Sequence, residues 1–180
     1  GLAQCRANDL EGWIDAHIRD VPDFPKPGIV FKDITPLVQH AAAFRRAVDE
    51  MAALCPADAC DQLLAIESRG FLFGAALAYR LNLGCALVRK KGKLPARTVS
   101  LSYALEYGEA TIEIHADGLA SGNRVLIVDD LLATGGTVAA AAELARQLGA
   151  EVVGAVFLIE LGFLKGAEQL DFPVKALRTY

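Results

Sequence analysis

At 180 residues, with 53% hydrophobic and 22% charged positions, the chain has the composition of a folded globular protein rather than a disordered one. A net charge of −4 argues against a broad nucleic-acid surface but leaves room for a locally basic site that takes an anionic small molecule. No apolar run reaches the roughly 18 residues of a membrane span, and Gly1 to Asp20 lacks a basic start followed by an apolar stretch, so neither a membrane anchor nor a secretion signal is expected.

In chain order, Asp9 to Ile18 reads as a short helix with Leu10, Trp13, Ile14 and Ile18 on one face. Val21 to Pro27 carries three prolines and must be extended or turning, because proline fixes φ and has no N–H. Ala41 to Leu54 spaces its apolar residues near 3.6 and predicts a helix. Strands and helices then alternate. Leu63 to Ile66 is a short apolar strand, Glu67 to Gly70 a polar turn, and Phe71 to Leu81 a helix. Cys85 to Val88 is the next strand and runs into the basic stretch Arg89 to Arg97. Thr98 to Ala116 holds two β-like runs around Tyr107-Gly108-Glu109, the second alternating strictly from Thr111 to His115. Val125 to Val128 is a continuous apolar strand, as expected when both faces are buried. Thr137 to Leu148 reads as a helix closed by Gly149, followed by strands at Val152 to Ile159 and Val174 to Arg178. This order predicts an α/β fold with a mainly parallel sheet and right-handed crossovers. It also brings the polar turns after Ile66, Val88 and Val128 to the carboxyl ends of strands, where ligands of such sheets bind.

The segment after Val128 carries the strongest chemical signal. Asp129 and Asp130 end the apolar run, and Ala133, Thr134, Gly135, Gly136 and Thr137 lead into a helix. Ionised carboxylates accept hydrogen bonds from the two hydroxyls of a ribose. Free N–H groups at a helix start, with the dipole behind them, favour an anion. Gly135 and Gly136 let the backbone approach it closely, and the threonines add hydroxyl donors. The lysine and longer glycine loop of the Walker pattern are missing. A plain N-cap with a tight turn would need neither two acids nor two glycines. A site for a ribose 5-phosphate is therefore predicted.

Other residues are more ambiguous by themselves. Arg89, Lys90, Lys91, Lys93 and Arg97 form a cluster that could be a solvated face, but it follows a strand end without interleaved aromatics and suits a polyanionic ligand. Arg69 reads equally as a solvated loop arginine, Phe31 as core packing, and Glu106 as a surface strand carboxylate. Cys5, Cys55, Cys60 and Cys85 form no Cys-x-x-Cys pair and read as reduced thiols of a cytosolic protein. His17, His40 and His115 are isolated and read as surface or structural residues.

Residues 125–137, Val-Leu-Ile-Val-Asp-Asp-Leu-Leu-Ala-Thr-Gly-Gly-Thr, resemble the diphosphate-sugar motif of the type I phosphoribosyltransferases. Four more segments, in the same order, resemble the adenine-specific branch of that family: Phe24 to Pro36, Glu67 to Gly74, Arg89 to Pro95 and Tyr103 to Gly108. The resemblance covers nearly all of the chain from about Val21 onward. It implies the type I phosphoribosyltransferase fold, α/β with a mainly parallel central sheet flanked by helices. One domain would span residues 1–180, with a small N-terminal hood over about residues 1–40 and a mobile β-hairpin loop over about residues 91–113. The implied reaction moves the 5-phosphoribosyl group of 5-phosphoribosyl 1-diphosphate (PRPP) onto adenine, giving AMP and pyrophosphate. Two other readings stay open: a transferase for hypoxanthine, xanthine or orotate, and a non-catalytic nucleotide-sensing regulator on the same fold.

By the same resemblance, Asp129 and Asp130 hold the ribose, and Ala133, Thr134, Gly135, Gly136 and Thr137 hold its phosphate. Glu67, Ser68, Arg69, Arg89 and Lys93 bind pyrophosphate, in part across a dimer interface, in a loop that in the family can carry a cis peptide, here Glu67–Ser68. Arg69 and Glu106 are the implied catalytic residues, with Glu106 the acid/base group on the closing loop. Val30, Phe31, Lys32 and Leu131 are the implied adenine contacts. Backbone groups at Val30 and Lys32 would match the N6 donor and N1 acceptor, a pattern that 6-oxo purines reverse. The family often has Asp at Glu67 and Arg at Lys32. Mg²⁺ is expected, held mainly by substrate and water rather than by dedicated protein ligands. The implied partners are the two substrates, the two products and a second copy of the chain as a homodimer, in the cytoplasm, with no nucleic acid and no membrane.

Overall fold

The structure, a computed structural model, describes residues 12–55, 58–105 and 107–180. The expectations at Cys5, at residues 9–11 and at Glu106 lie outside the described residues. The chain divides into two compact units, Gly1–Glu50 and Met51–Tyr180.

In the first unit, helix α1 is described over residues 12–15 and gives way to a turn at 16–17. The helix expected to reach Ile18 is therefore shorter: the His17 ring donates from Nδ1 to the Trp13 carbonyl at 2.8 Å, in the turn just ahead of the next strand. Strands β1 (Arg19–Pro22) and β2 (Val30–Asp33) pair antiparallel, with Arg19 opposite Asp33 and Pro22 opposite Val30. The proline-rich stretch is thus the edge and loop of a hairpin, where missing N–H groups cost no ladder bonds. The Phe24–Pro25 peptide is cis, Gly28 has φ +86°, and its N–H donates to Asp23 Oδ1 at 2.8 Å to close the loop. Helix α2 (Thr35–Gln39) follows, with Pro36 in its first turn, where an N–H has no helical partner anyway. Helix α3 (Ala41–Leu54) matches the predicted span.

The second unit is built on a seven-stranded sheet in the order β5-β6-β4-β3-β7-β8-β9. The elements are β3 (Gln62–Ile66), helix α4 (Gly70–Leu81), β4 (Gly84–Lys90), β5 (Thr98–Ala104), β6 (Glu109–His115), β7 (Arg124–Leu132), helix α5 (Gly136–Gln147), β8 (Glu151–Glu160) and β9 (Val174–Thr179). The five strands from β4 to β9 in that order are parallel, and the β5–β6 hairpin adds antiparallel along β4. Ile66 sits opposite Val88 and Ala65 opposite Val128, so the polar segments after these residues emerge side by side. Leu64, Val88, Ile114, Ile127, Leu144 and Phe157 are among the buried side chains of the core.

Two strands run further than their apolar stretches predict. β4 reaches Lys90 because Arg89 and Lys90 pair with Glu113 and Ile112 of β6. β7 reaches Leu132 because β8 supplies partners: Asp129 lies opposite Phe157, Leu131 opposite Ile159, and Leu132 opposite Glu160. The paired carboxylates therefore stand on a strand, and the turn begins only at Ala133. Between β8 and β9, short 3-10 helices at Gly162–Leu164 and Gly166–Gln169 occupy a stretch for which periodicity predicts nothing.

Candidate active site

Asp130 is 4% exposed and accepts a hydrogen bond from Arg69 Nε at 2.5 Å. Arg69 reaches it from the turn between β3 and α4, so two segments distant in sequence meet through one ion pair. The Asp130 N–H donates to Asp129 Oδ1 at 2.8 Å. Burial, and then the neighbouring Asp130 carboxylate, push the Asp129 pKa up to about 9, against the pull of Arg69. Burial and the adjacent acid thus disfavour the ionised form of Asp129, whereas Asp130 is paired with a guanidinium. Gly70, at the start of α4, makes this close approach possible. A Cβ there would lie 2.7 Å from Asp129 Oδ1 and 3.2 Å from its Cα.

Glu67, Ser68, Arg69, Lys90, Asp129, Asp130 and Leu131 line a cleft of about 270 Å³. The Glu67–Ser68 peptide is cis. Glu67 accepts from Arg89 Nε at 2.9 Å and from the Lys90 N–H at 3.1 Å. Burial alone would raise the Glu67 carboxyl, but these two donors outweigh it and hold the pKa below the usual value. Arg89 is thus tied to the β3–α4 turn, and its Nη1 also donates to the Lys93 carbonyl at 3.3 Å. Lys93 enters this network through its backbone. Its side chain lines neither this cleft nor the one beside the glycine turn.

That second cleft, of about 100 Å³, is formed by Asp129 and residues 131–138. Gly135 has φ +87°, a conformation that favours glycine, and α5 starts at Gly136 without a side-chain cap. The first helical bond runs from the Ala139 N–H to the Gly135 carbonyl at 3.0 Å, so the N–H groups ahead of it have no helical partner. Thr137 Oγ1 lies 2.8 Å from the Tyr103 hydroxyl of β5, which brings the hairpin to the turn. Gln169 Nε2 donates to the Thr134 carbonyl.

In the first unit, Val30 is half exposed, Phe31 meets Phe24 edge-on at 5.3 Å, and Lys32 Nζ donates to Asp20 Oδ1 at 2.7 Å. The Lys32 ammonium is thus occupied by Asp20. Leu131 lines both clefts of the second unit. Glu106 lies outside the described residues, and the Leu105 N–H bonds the Gly108 carbonyl at 3.0 Å on either side of it. Gly70, Tyr103 and Gln169 escape sequence reasoning. For Gly70 a signal exists, a glycine directly after the turn arginine; for Tyr103 and Gln169 the partner lies 34 and 35 positions away.

A family model of the phosphoribosyl transferase domain matches residues 38–177. The adenine phosphoribosyltransferase of Thermobifida fusca is 52% identical over 174 residues, covering 96% of this chain and 99% of that protein. The crystal structure of the adenine phosphoribosyltransferase from Thermoanaerobacter pseudethanolicus matches with a TM-score of 0.92 at 50% identity, over 95% of this chain and 99% of that one. The Saccharomyces cerevisiae enzyme, solved with an imino-altritol bisphosphate and adenine, matches with a TM-score of 0.88 at 38% identity, over 94% and 98% of the two chains. A strand-borne carboxylate pair facing a turn arginine, a glycine turn opening a helix, and likeness over almost the whole length agree: the chain belongs to the phosphoribosyltransferase family, among the adenine phosphoribosyltransferases.

Proposed function

We propose that the chain transfers the 5-phosphoribosyl group of PRPP to adenine, forming AMP and pyrophosphate in purine salvage. The observation that carries this reading is the junction of the two clefts at Asp129 and Leu131. Acceptors for ribose hydroxyls there adjoin unpartnered helix N–H groups for a phosphate on one side and an arginine for a leaving diphosphate on the other. The names of the relatives supply the base.

In this reaction C1 of the ribose gains oxocarbenium character as pyrophosphate departs, and adenine N9 attacks the opposite face and inverts it. Asp129 and Asp130 hold the ribose hydroxyls, and residues 133–137 anchor the 5-phosphate. Glu67, Ser68, Arg69, Arg89 and Lys93 receive the leaving group. Arg69 and Arg89 are already oriented by Asp130 and Glu67, so little reorganisation is needed when charge develops on the diphosphate. Val30, Phe31, Lys32 and Leu131 select the base. Glu106 is the acid/base group near N7 of the base, supplying or relaying a proton as N9 loses its own, and the loop over about residues 91–113 excludes water during transfer. Residues 1–180 act as one phosphoribosyltransferase domain, with a hood over about residues 1–40.

The carboxylate oxygens beside the larger cleft fit a hard divalent cation that keeps most of its own water, as Mg²⁺ does. Beside Asp129 and Asp130, Mg²⁺ would supply positive charge to offset that of the diphosphate, held mainly by substrate and water. A homodimer is supported by Leu72 and Tyr79, exposed apolar side chains seven positions apart on α4. The described cysteines are all free, which supports the cytoplasm, and no described helix is long and apolar enough to cross a membrane.

The test is AMP formation from adenine and PRPP with Mg²⁺, against hypoxanthine, xanthine and orotate. Adenine is expected to exceed the others in kcat/KM by about two orders of magnitude or more, since a wrong base leaves buried polar groups unpaired. Equal use of a 6-oxo purine overturns the base assignment, and nucleic-acid retention without turnover favours a regulator.

A further inference from the structure

We propose that Gln169 is a positioning residue for the 5-phosphate subsite, holding the Thr134–Gly135 peptide in the orientation that offers the Gly135 N–H to phosphate. This rests on the assignment of residues 133–137 to the phosphate.

After β8 the chain does not turn directly into β9. It runs as a strap through Gly162–Leu164 and Gly166–Gln169. The strap is fastened at its start by the Leu161 N–H on the Leu132 carbonyl, 2.9 Å, where β7 ends. It is fastened past Gln169 by Arg146 of α5, whose Nη2 lies 2.7 Å from Asp171 Oδ1. Between these points its backbone lies directly on the glycine turn. A Cβ on Gly135 would stand 2.6 Å from the Gly166 carbonyl oxygen. A Cβ on Gly166 would collide with the Ala133 carbonyl oxygen and stand 3.1 Å from Gly135 N. Two glycines facing each other are what so close a crossing requires.

At this crossing Gln169 Nε2 donates to the Thr134 carbonyl. In a trans peptide the C=O and the following N–H point in opposite directions. The amide that holds the Thr134 oxygen therefore turns the Gly135 N–H away from Gln169. That orientation needs an outside hold, because glycine accepts many backbone conformations at little cost and α5 has no side-chain cap to select one. The main-chain donors at the helix start attract an anion only if they converge on it. Gln169 makes one of them converge without touching the ligand.

The test compares Gln169→Met, which keeps length and removes the donor, with Gln169→Lys, which restores a donor. Steady-state kinetics of AMP formation are read on the full chain, with Thr137→Val measured alongside. Gln169→Met is expected to raise the KM for PRPP roughly three- to tenfold, the usual range for one lost hydrogen bond, with the KM for adenine unchanged. Gln169→Lys should return it to within about twofold of the parent, and should still do so near 0.5 M salt, where plain charge attraction is screened. Three results overturn the proposal: an unchanged KM in Gln169→Met, equal losses in both variants, or a rescue that disappears in salt. If Thr137→Val also leaves the KM for PRPP unchanged, the phosphate assignment itself falls; if only Thr137→Val weakens binding, the inference about Gln169 fails alone.

Discussion

Asp129 and Asp130 are chemically identical neighbours that the fold treats differently. Asp130 meets the Arg69 guanidinium at 2.5 Å, whereas Asp129 is buried beside a like charge and its pKa rises to about 9. In the unfolded chain the same carboxyl titrates near 3.8. Because the folded value is raised, this carboxyl contributes stability that is full below 3.8 and is lost progressively as pH rises through the folded value. Asp129→Asn removes this penalty. Its melting temperature should exceed that of the parent by more at pH 8 than at pH 5, while calorimetry shows weaker PRPP binding. A pH-independent difference would remove burial as the cause. Stability yielded at a carboxylate pair is a pattern expected of a binding site.

Among the elements, the β5–β6 hairpin shows how one side chain can organise a loop. Glu113 of β6 is buried, and it accepts from Thr98 Oγ1 and from the Gly92 N–H at 2.6 Å. It thus fastens the chain on either side of residues 93–97, which include Lys93 and Arg97. The Thr98 hydroxyl first, and then the Gly92 N–H, hold the Glu113 pKa below its usual 4.5. Because the folded value is lowered, the clasp is complete above pH 4.5 and is released as acidification protonates the carboxylate. Glu113→Gln keeps the shape but turns one acceptor into a donor facing a donor. Amide hydrogen exchange over residues 92–98 should then accelerate by about one to two orders of magnitude, while the parallel strands are unaffected. Equal acceleration across β3 and β7 would mean that Glu113 supports the whole sheet instead.

For the molecule as a whole, a site assembled from strand ends and one helix start should couple ligand to stability. AMP at about a hundred times its Kd adds about 2.7 kcal/mol, which for a chain of this length is a rise of roughly 5–10 °C in Tm. Differential scanning calorimetry with AMP, and with adenosine as the phosphate-free control, measures it. Equal shifts from both ligands would argue that the glycine turn does not bind the phosphate.

The alternation of strands and helices from β3 onward and the parallel core were readable from local pattern. Apolar runs report burial on both faces, and the Asp129-Asp130…Gly135-Gly136 arrangement has a chemical cause within a single stretch. Less visible was where strands stop. β4 and β7 extend past their apolar runs because neighbouring strands offer partners, and pairing is a property of two segments at once. The proline-rich stretch after Val21 reads as extended or turning in sequence, and only pairing makes it a hairpin. Charge partners were hidden for the same reason: Arg69 with Asp130 and Arg89 with Glu67 are 61 and 22 positions apart. The sequence by itself determined the fold class and the family, because those depend on residues close together in the chain. The tertiary structure alone decided which acid is paired with an arginine, which arginines are oriented in advance, and that the strap with Gly166 and Gln169 backs the glycine turn. Each of these depends on distances between groups that the chain order keeps apart.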